Sequence, residues 1–244
     1  MSYIENPKTK GSGIIACIPH GGMCPIKCDD CFFQSGRSYL EPLGKNLPNM
    51  PSEDIIAGRV IRVNDGNDSN NRRSLVIEST KHYPMKFYNT SISNDIESFD
   101  APVVLTVNPS NRTDGEPVML NDIPNNLMFV RVRTNTWNLD TTVLPAVDYY
   151  SKREIPVVLT FMAYYNKFPD GADAYHQCNY IFRERTLNKY YAITTNAWRC
   201  VMALFEDNIW VHSCGKIEGE KGKTSCRHCG NCLREYYATM ERMR

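Results

Sequence analysis

Six short apolar segments recur along the chain, and their spacing restricts the possible folds more than any other feature of the sequence. They are rich in Val, Ile, Phe and Thr, and Asn, Asp, Gly or Pro bounds each of them. The predicted strands are 13–18, 59–63, 85–92, 102–107, 127–134 and 155–164. Their starts lie roughly 20 to 45 residues apart, which leaves room for a crossover between parallel strands. The spacing therefore predicts an α/β fold, namely a partial (β/α)6 TIM-like barrel.

Two of the connections between these strands carry helix signals. One predicted helix covers 71–83 with Ser69 as its N-cap, and another covers 141–154 after Asp140. Residues 233–244 predict a terminal helix, because apolar side chains recur on one of its faces.

Alternation within the strands predicts that each has one apolar and one polar face. Arg131 and Arg133 share a face of their strand, and the valines beside them occupy the other face. Thr106, Asn108 and Thr160 repeat this pattern on neighbouring strands. A fully packed barrel interior would be apolar, so a face that turns polar toward the C-terminal ends of the strands predicts a ligand site there. The alternative is a solvent-facing side of an open antiparallel sheet.

A CxxxCxxC pattern formed by Cys24, Cys28 and Cys31 follows the first predicted strand directly. Cysteines separated by only two or three residues are better placed to bind one metal together than to form disulfides with each other. A tetrahedral zinc ion or a cubane iron–sulfur cluster takes four ligands. One alternative completes a zinc site with the nearby His20. The other leaves the fourth position open for a small molecule.

The cysteine pattern, its place after the first strand and the repeated βα units resemble the radical S-adenosylmethionine (radical SAM) superfamily. The resemblance implies a [4Fe–4S] cluster whose free iron binds the amino and carboxylate groups of S-adenosylmethionine. It also implies reductive cleavage of that cofactor to a 5′-deoxyadenosyl radical, which abstracts hydrogen from a substrate. An external electron donor such as flavodoxin or ferredoxin is implied as a partner.

The resemblance further implies contacts to S-adenosylmethionine. In the family a loop after the second strand, here Asp65–Ser69, meets the ammonium group. Arg131 or Arg133 would hold the cofactor carboxylate or a substrate anion, and Asn108 would bind the ribose hydroxyls. An aromatic residue usually precedes the third cysteine, where this chain has Asp, so Phe33 is the expected contact to adenine. The full set is Phe33, Asp65, Gly66, Asn67, Asp68, Ser69, Asn108, Arg131 and Arg133.

A second group of cysteines lies near the C-terminus, at Cys214, Cys226, Cys229 and Cys232. Four thiolates can ligate a metal fully. The C-x2-C-x2-C run is typical of iron–sulfur ligation, whereas CRHCG also resembles a zinc knuckle. Auxiliary clusters in C-terminal extensions of radical SAM enzymes favour a second [4Fe–4S] cluster over zinc. The predicted division is a barrel over 1–207 and a small metal-stapled lobe over 208–244.

Composition restricts the remaining alternatives. Lys and Arg number 28 against 27 Asp and Glu, so no surplus of positive charge points to general nucleic-acid binding. The first residues contain no apolar signal segment, and no apolar run reaches membrane-spanning length, which predicts a cytoplasmic protein that does not enter a membrane.

Three functions compete on these grounds. The first is a radical SAM enzyme acting on a small molecule, a peptide or a nucleotide. The second is a zinc-stapled module that binds nucleic acid or protein. The third is an iron–sulfur electron-transfer protein.

Overall fold

The structure is a computed structural model. It describes residues 2–21, 47–108, 119–165, 167–168, 172–184, 189–218, 223–226 and 229–244. Within that part of the chain, no helix is both long enough and apolar enough to cross a membrane.

The described elements alternate between strands and helices over most of the chain. In order they are β1 (Ile14–Cys17), α1 (Glu53–Ile56), β2 (Val60–Val63), α2 (Arg73–Thr80), β3 (Lys86–Thr90), β4 (Val103–Val107), β5 (Leu127–Thr134), α3 (Leu144–Ser151), β6 (Val157–Phe161), β7 (Ala163–Tyr165), α4 (Ala174–Gln177), β8 (Tyr180–Glu184), β9 (Lys189–Ile193), α5 (Thr195–Ala203), β10 (Val211–Ser213), β11 (Lys216–Glu218), β12 (Lys223–Ser225) and α6 (Asn231–Arg242).

Seven parallel strands form one curled sheet, a half-barrel with the order β1-β2-β3-β4-β5-β6-β10. All six predicted strands contribute to this sheet, so the predicted α/β fold with parallel strands is confirmed, and the half-barrel is compatible with the predicted partial TIM-like barrel. The alternative of an open antiparallel sheet is wrong for it, because every pairing within the sheet is parallel. A seventh strand, β10, was not predicted, since three residues are too few to show a periodic pattern.

The predicted strand over 155–164 ends early. β6 stops at Phe161, and Ala163 begins β7, which belongs to a separate antiparallel sheet with the order β7-β9-β8. A continuous apolar run cannot reveal that its second half pairs with different strands, because pairing partners are not encoded in one segment.

The predicted N-cap of α2 is wrong, and the start expected for α3 differs as well. α2 begins at Arg73, after Arg72 in a left-handed conformation, and Ser69 instead accepts a hydrogen bond from Asn64. Before α3, residues Leu139–Val143 form a π-helical turn, which places the exposed Asp140 inside the turn rather than at a cap.

The helices that follow the strands cover the outer face of the half-barrel. Side chains of α2, α3 and α5 pack there against alternate strand residues, with Tyr88, Val130 and Leu159 at the centre. These residues are fully or almost fully buried. The main core therefore lies between the sheet and its outer helices.

The terminal helix α6 packs on the opposite, inner face of the sheet. Asn231, at its first turn, donates a hydrogen bond to the carbonyl oxygen of Ser213 at the end of β10 (2.9 Å). Arg242, at its last turn, donates to the carbonyl oxygen of Leu127 at the start of β5 (2.5 Å). The helix thus runs antiparallel to the strands, and its N-terminus lies at the end of the sheet where the strands terminate. The predicted boundary at residue 208 falls just before β10, which is itself a strand of the half-barrel.

Candidate functional site

The inner face of the half-barrel changes from apolar to polar along its strands. Its apolar part is a buried cluster, here called the inner cluster, that contacts α6 through Tyr236 and Leu233. The strand residues of the inner cluster are Ile14, Val60, Phe87, Val104, Met128, Phe129 and Val158. Two residues further along five of the strands stand polar side chains: Arg62, Asn89, Thr106, Arg131 and Thr160. The predicted polar face is therefore present, and it lies on the inside of the curled sheet.

Strand register places the polar side chains next to one another. Thr106 of β4 pairs with Arg131 of β5, and Arg133 pairs with Thr160 of β6. Arg131 donates a hydrogen bond from Nη1 to Oδ1 of Asn89 (3.2 Å), and its guanidinium lies 5.7 Å from the ring centre of Phe129. The result is a strip of guanidinium, amide and hydroxyl groups, which suits an anionic or hydroxyl-bearing ligand.

Arg133 and Asn108 lie at the outer end of this strip. Nη1 of Arg133 lies 3.8 Å from the sulfur of Met162. Asn108 directly follows β4 and is buried. Both positions agree with the expected placement at the C-terminal ends of the strands, while their contacts to a cofactor stay predictions.

Arg62 is held by an ion pair inside the half-barrel. Its Nη2 lies 2.6 Å from Oδ1 of Asp65, and Asn6 donates a hydrogen bond to the other carboxylate oxygen. The carboxylate of Asp65 is the main influence that raises the pKa of the buried Arg62, and burial opposes it. Asp65, expected to meet the ammonium group of S-adenosylmethionine, thus already has two protein partners.

Asp68 braces the loop between β2 and β3. Its carboxylate accepts hydrogen bonds from the hydroxyl of Thr90 (2.7 Å) and from the backbone nitrogens of Asn70 (2.9 Å) and Ser91 (2.5 Å). Burial raises the pKa of Asp68 despite these bonds. Such a carboxylate acts first as a structural connection between its loop and the end of β3.

The other predicted loop residues take part in the same local fold. The side-chain oxygen of Asn67 accepts a hydrogen bond from the backbone of Asp68 (2.8 Å), and Ser69 is buried with its backbone nitrogen bonded to Asn89 (3.0 Å). Gly66 lies half-buried between Asp65 and Asn67. A role of this loop in cofactor binding stays a prediction.

Cys24, Cys28, Cys31 and Phe33 lie outside the described residues. The positions on either side of them are described and lie close together. Ile18, directly after β1, forms an antiparallel bridge with Asn49 through two backbone hydrogen bonds (3.0 and 2.8 Å). The described residues on either side of the CxxxCxxC pattern therefore meet at the C-terminal end of β1. His20 is buried at this point, and its Nδ1 lies 3.0 Å from the carbonyl oxygen of Gly21.

The C-terminal cysteines approach the inner face rather than the outer surface. Cys214 follows β10, and its backbone nitrogen donates to Leu159 (2.8 Å). Cys232 lies in the first turn of α6, and both Cys214 and Cys232 pack against the inner cluster. Cys229 lies close by, with its sulfur 3.9 Å from the carbonyl oxygen of Ser213.

Electrostatics shows that three of these thiols share one environment. Burial is the main cause that raises the pKa of Cys232 to about 12, the charges of Arg131 and Arg62 oppose this increase, and Cys214 and Cys226 contribute to it. Burial and then Cys214 raise the pKa of Cys226. All four C-terminal thiols are free. Within the described ranges, no three His, Cys, Asp or Glu side chains are arranged closely enough to hold a metal as they stand.

An aromatic cluster at the mouth of the half-barrel was not predicted. Trp137, after β5, lies 5.2 Å from Tyr164 of β7 and 5.7 Å from Tyr180 of β8, measured between ring centres. Asn135 donates a hydrogen bond to the hydroxyl of Tyr164 (3.0 Å), and Phe168 stacks 4.3 Å from Tyr191. The density of Tyr, Phe and Trp between 161 and 191 was the available signal. The cluster covers the ends of β5 and β6, next to Arg133.

Comparison of the chain with protein-family models, with curated proteins and with solved structures found no match. The comparisons therefore assign no family, and function has to be inferred from the residues and the geometry of the chain itself.

Proposed function

We propose that this protein is a radical SAM enzyme. The proposal rests on two features that occur at the same end of the sheet. Ile18 and Asn49, which come before and after the CxxxCxxC segment in the sequence, bridge to each other at the C-terminal end of β1, and the inner face of the parallel half-barrel turns polar at this same end. In folds built from βα units, ligands bind at this end of the strands.

The residues around this end fit the expected cofactors in their chemistry. Cys24, Cys28 and Cys31 would hold the first cluster, with one iron left for S-adenosylmethionine. When bound, the pair would supply the one-electron cleavage of a carbon–sulfur bond. Arginines on the polar strip would orient an anionic group through charge-assisted hydrogen bonds. The inner cluster and α6 fill the apolar part of the inner face with packed side chains, which would keep that side of the site apolar.

The proposal includes further partners and a location. The substrate is a small molecule, a peptide or a nucleotide, and an external donor such as flavodoxin or ferredoxin supplies the electron. The C-terminal cysteines hold a second [4Fe–4S] cluster or zinc. The protein acts in the cytoplasm, where thiols stay reduced.

The test is anaerobic reconstitution with iron and sulfide, followed by addition of S-adenosylmethionine and a low-potential reductant. We expect the protein to be brown and to form 5′-deoxyadenosine even without its natural substrate. The variant with Ala at Cys24, Cys28 and Cys31 is expected to lose both S-adenosylmethionine cleavage and about four iron atoms. Cys178→Ala is the matched control, because this thiol is exposed and donates to the carbonyl oxygen of Tyr175 in the preceding helix turn (2.8 Å).

Two results would contradict the proposal and select an alternative. A brown protein that neither binds nor cleaves S-adenosylmethionine would favour the electron-transfer function. Protein that contains zinc and no iron would favour the zinc-stapled binding module.

A further inference from the structure

An open groove lies on the outer side of the half-barrel, at the end where the strands begin. The end of α3 and the loop 204–210, which joins α5 to β10, line the groove, and its volume is about 480 Å³. The carbonyl oxygen of Trp210 in this loop accepts a hydrogen bond from the backbone nitrogen of Val157 (2.7 Å), the first residue of β6. The polar strip lies toward the opposite ends of the strands, so the groove is separate from the candidate cofactor site.

Two large apolar side chains of this groove are turned toward solvent. Leu204 is 58% exposed and Ile209 is 78% exposed. The buried Phe205 and the half-buried Trp210 complete the apolar part of the lining. Single exposed apolar residues are common on protein surfaces, but several of them in one concave surface are typical of an interaction site.

Hydrogen bonds hold the loop in the conformation that exposes Ile209. The backbone nitrogen of Asn208 donates to the carbonyl oxygen of Phe205 (3.0 Å), and the carbonyl oxygen of Asn208 accepts from Val211 (3.0 Å). The side-chain oxygen of Asn208 also accepts from the backbone nitrogen of Trp210 (3.1 Å). Both neighbours of Ile209 are thus fixed, so its side chain stays at the surface without a partner. A preformed loop loses little conformational entropy on binding, which favours association.

The charge around the groove is negative. Glu206 and Asp207 line the groove and are exposed, and among the described residues neither forms an ion pair with a basic side chain. Lys152, which also lines the groove, is paired with Asp148 (2.7 Å). Both α3 and α5 end at the groove, and a helix C-terminus adds partial negative charge. The groove therefore favours a partner with positive charge, and it disfavours nucleic acid or an anionic membrane surface.

We propose that this groove binds a partner protein through a segment that combines apolar side chains with Lys or Arg. Leu204 and Ile209 contact the apolar side chains of the partner, and Glu206 and Asp207 attract its basic groups at the rim. A small molecule does not suit the groove, because a ligand pocket encloses most of its ligand, whereas two apolar side chains here are more than half exposed. A partner bound at this end leaves the polar strip accessible, and the inference is independent of the proposed function.

The probe for this proposal is a fluorescently labelled amphipathic helical peptide of Leu, Ala and Lys, and fluorescence anisotropy measures its affinity for the protein. Ile209→Ser is expected to weaken binding by about 10-fold or more, as for an apolar contact at the centre of an interface. Glu206→Lys should weaken binding by about threefold or more, and added salt should weaken binding to the natural protein. Both side chains are exposed, so we expect these variants to keep their fold.

Ile181→Ser and Asp140→Lys are the matched controls. Ile181 is 50% exposed on β8, and Asp140 is exposed in the turn before α3. Each control therefore repeats one of the chemical changes at an exposed position away from the groove. We expect both to bind the peptide within about twofold of the natural protein, as for exposed residues outside an interface.

The proposal is overturned if the natural protein does not bind the peptide, or if Ile209→Ser and Glu206→Lys bind it no more weakly than the controls do. It is also overturned if a peptide with Ser in place of Leu binds equally well, because binding would then depend on charge alone. Self-association in sedimentation velocity that Ile209→Ser abolishes would show instead that a second copy occupies the groove. None of these measurements needs an iron–sulfur cluster, so cleavage of S-adenosylmethionine tests the proposed function separately.

Discussion

At the scale of single residues, the pairing of Arg62 with Asp65 has the largest consequence. The two side chains are 12% and 20% exposed, so both charges are largely removed from water. Removing one partner of such a pair leaves the other charge buried and uncompensated, which is costly. Asp65 therefore supports folding whether or not it also meets a cofactor.

Replacement of Asp65 by Asn is expected to lower the free energy of unfolding by about 3 kcal/mol, because Arg62 would lose its counter-charge. The measurement is equilibrium unfolding in urea. Glu78→Gln provides the comparison, since the Glu78–Lys81 pair is well exposed and its loss should change the free energy by less than about 1 kcal/mol. Unchanged stability of Asp65→Asn together with weaker binding of S-adenosylmethionine would show instead that Asp65 serves the cofactor.

At the scale of elements, α6 is the helix that covers part of the inner face of the half-barrel. The helix places Tyr236 and Leu233 on the inner cluster, and its remaining face is exposed. Packing is close: a methyl group added at Gly13, just before β1, would come within 2.6 Å of the Leu233 side chain. The helix therefore covers the apolar part of the inner face.

Two adjacent tyrosines of α6 allow a direct test. Tyr236 is 3% exposed, and truncation to Ala should lower the free energy of unfolding by about 3 kcal/mol, as for other large buried side chains. Tyr237 is 52% exposed, and its truncation should cost less than about 1 kcal/mol. Urea unfolding of both variants gives the comparison. Similar losses for the two tyrosines would mean that α6 does not dock by this face.

At the scale of the whole molecule, the C-terminal residues complete the half-barrel. β10 extends the sheet beside β6, and α6 returns along the inner face to reach the start of β5. Cys214 and Cys232 adjoin these two elements. A metal held by the C-terminal cysteines would thus stabilise the closed end of the sheet as well as its own loop, because metal binding is coupled to folding.

Removal of metal by a chelator under anaerobic conditions should therefore increase hydrogen exchange in 211–213 and 231–242. The outer helix α3, at 144–151, is packed on the other face of the sheet and provides the internal control. Mass spectrometry of peptides from metal-loaded and chelated protein measures the difference. If exchange in β10 and α6 stays the same after metal has been shown to leave, the cysteines do not support this part of the fold.

The sequence alone was sufficient for those features that depend on neighbouring residues. Each of the six predicted strands carries its own apolar run and its own flanking turn residues, so each could be identified without its partners. Alternation in β5 placed Arg131 and Arg133 on one face for the same reason. The CxxxCxxC pattern and its position after β1 are likewise local.

Tertiary structure decided every feature that joins distant parts of the chain. β10 is too short to show a pattern, and only its pairing with β6 makes it a strand of the half-barrel. The packing of Cys232 against the inner cluster, which includes Phe129, joins residues about one hundred positions apart, and it depends on how α6 lies on the inner face of the sheet. Asp65 was predicted to contact a cofactor because of its residue type and its position after β2. In the structure its carboxylate pairs with Arg62, because the side chain of Arg62 lies on the inner face of β2. The physical reason is that residue type and periodicity report a side chain's preference for water or core, whereas its actual partners depend on strand order and register, which arise from contacts among all the strands together.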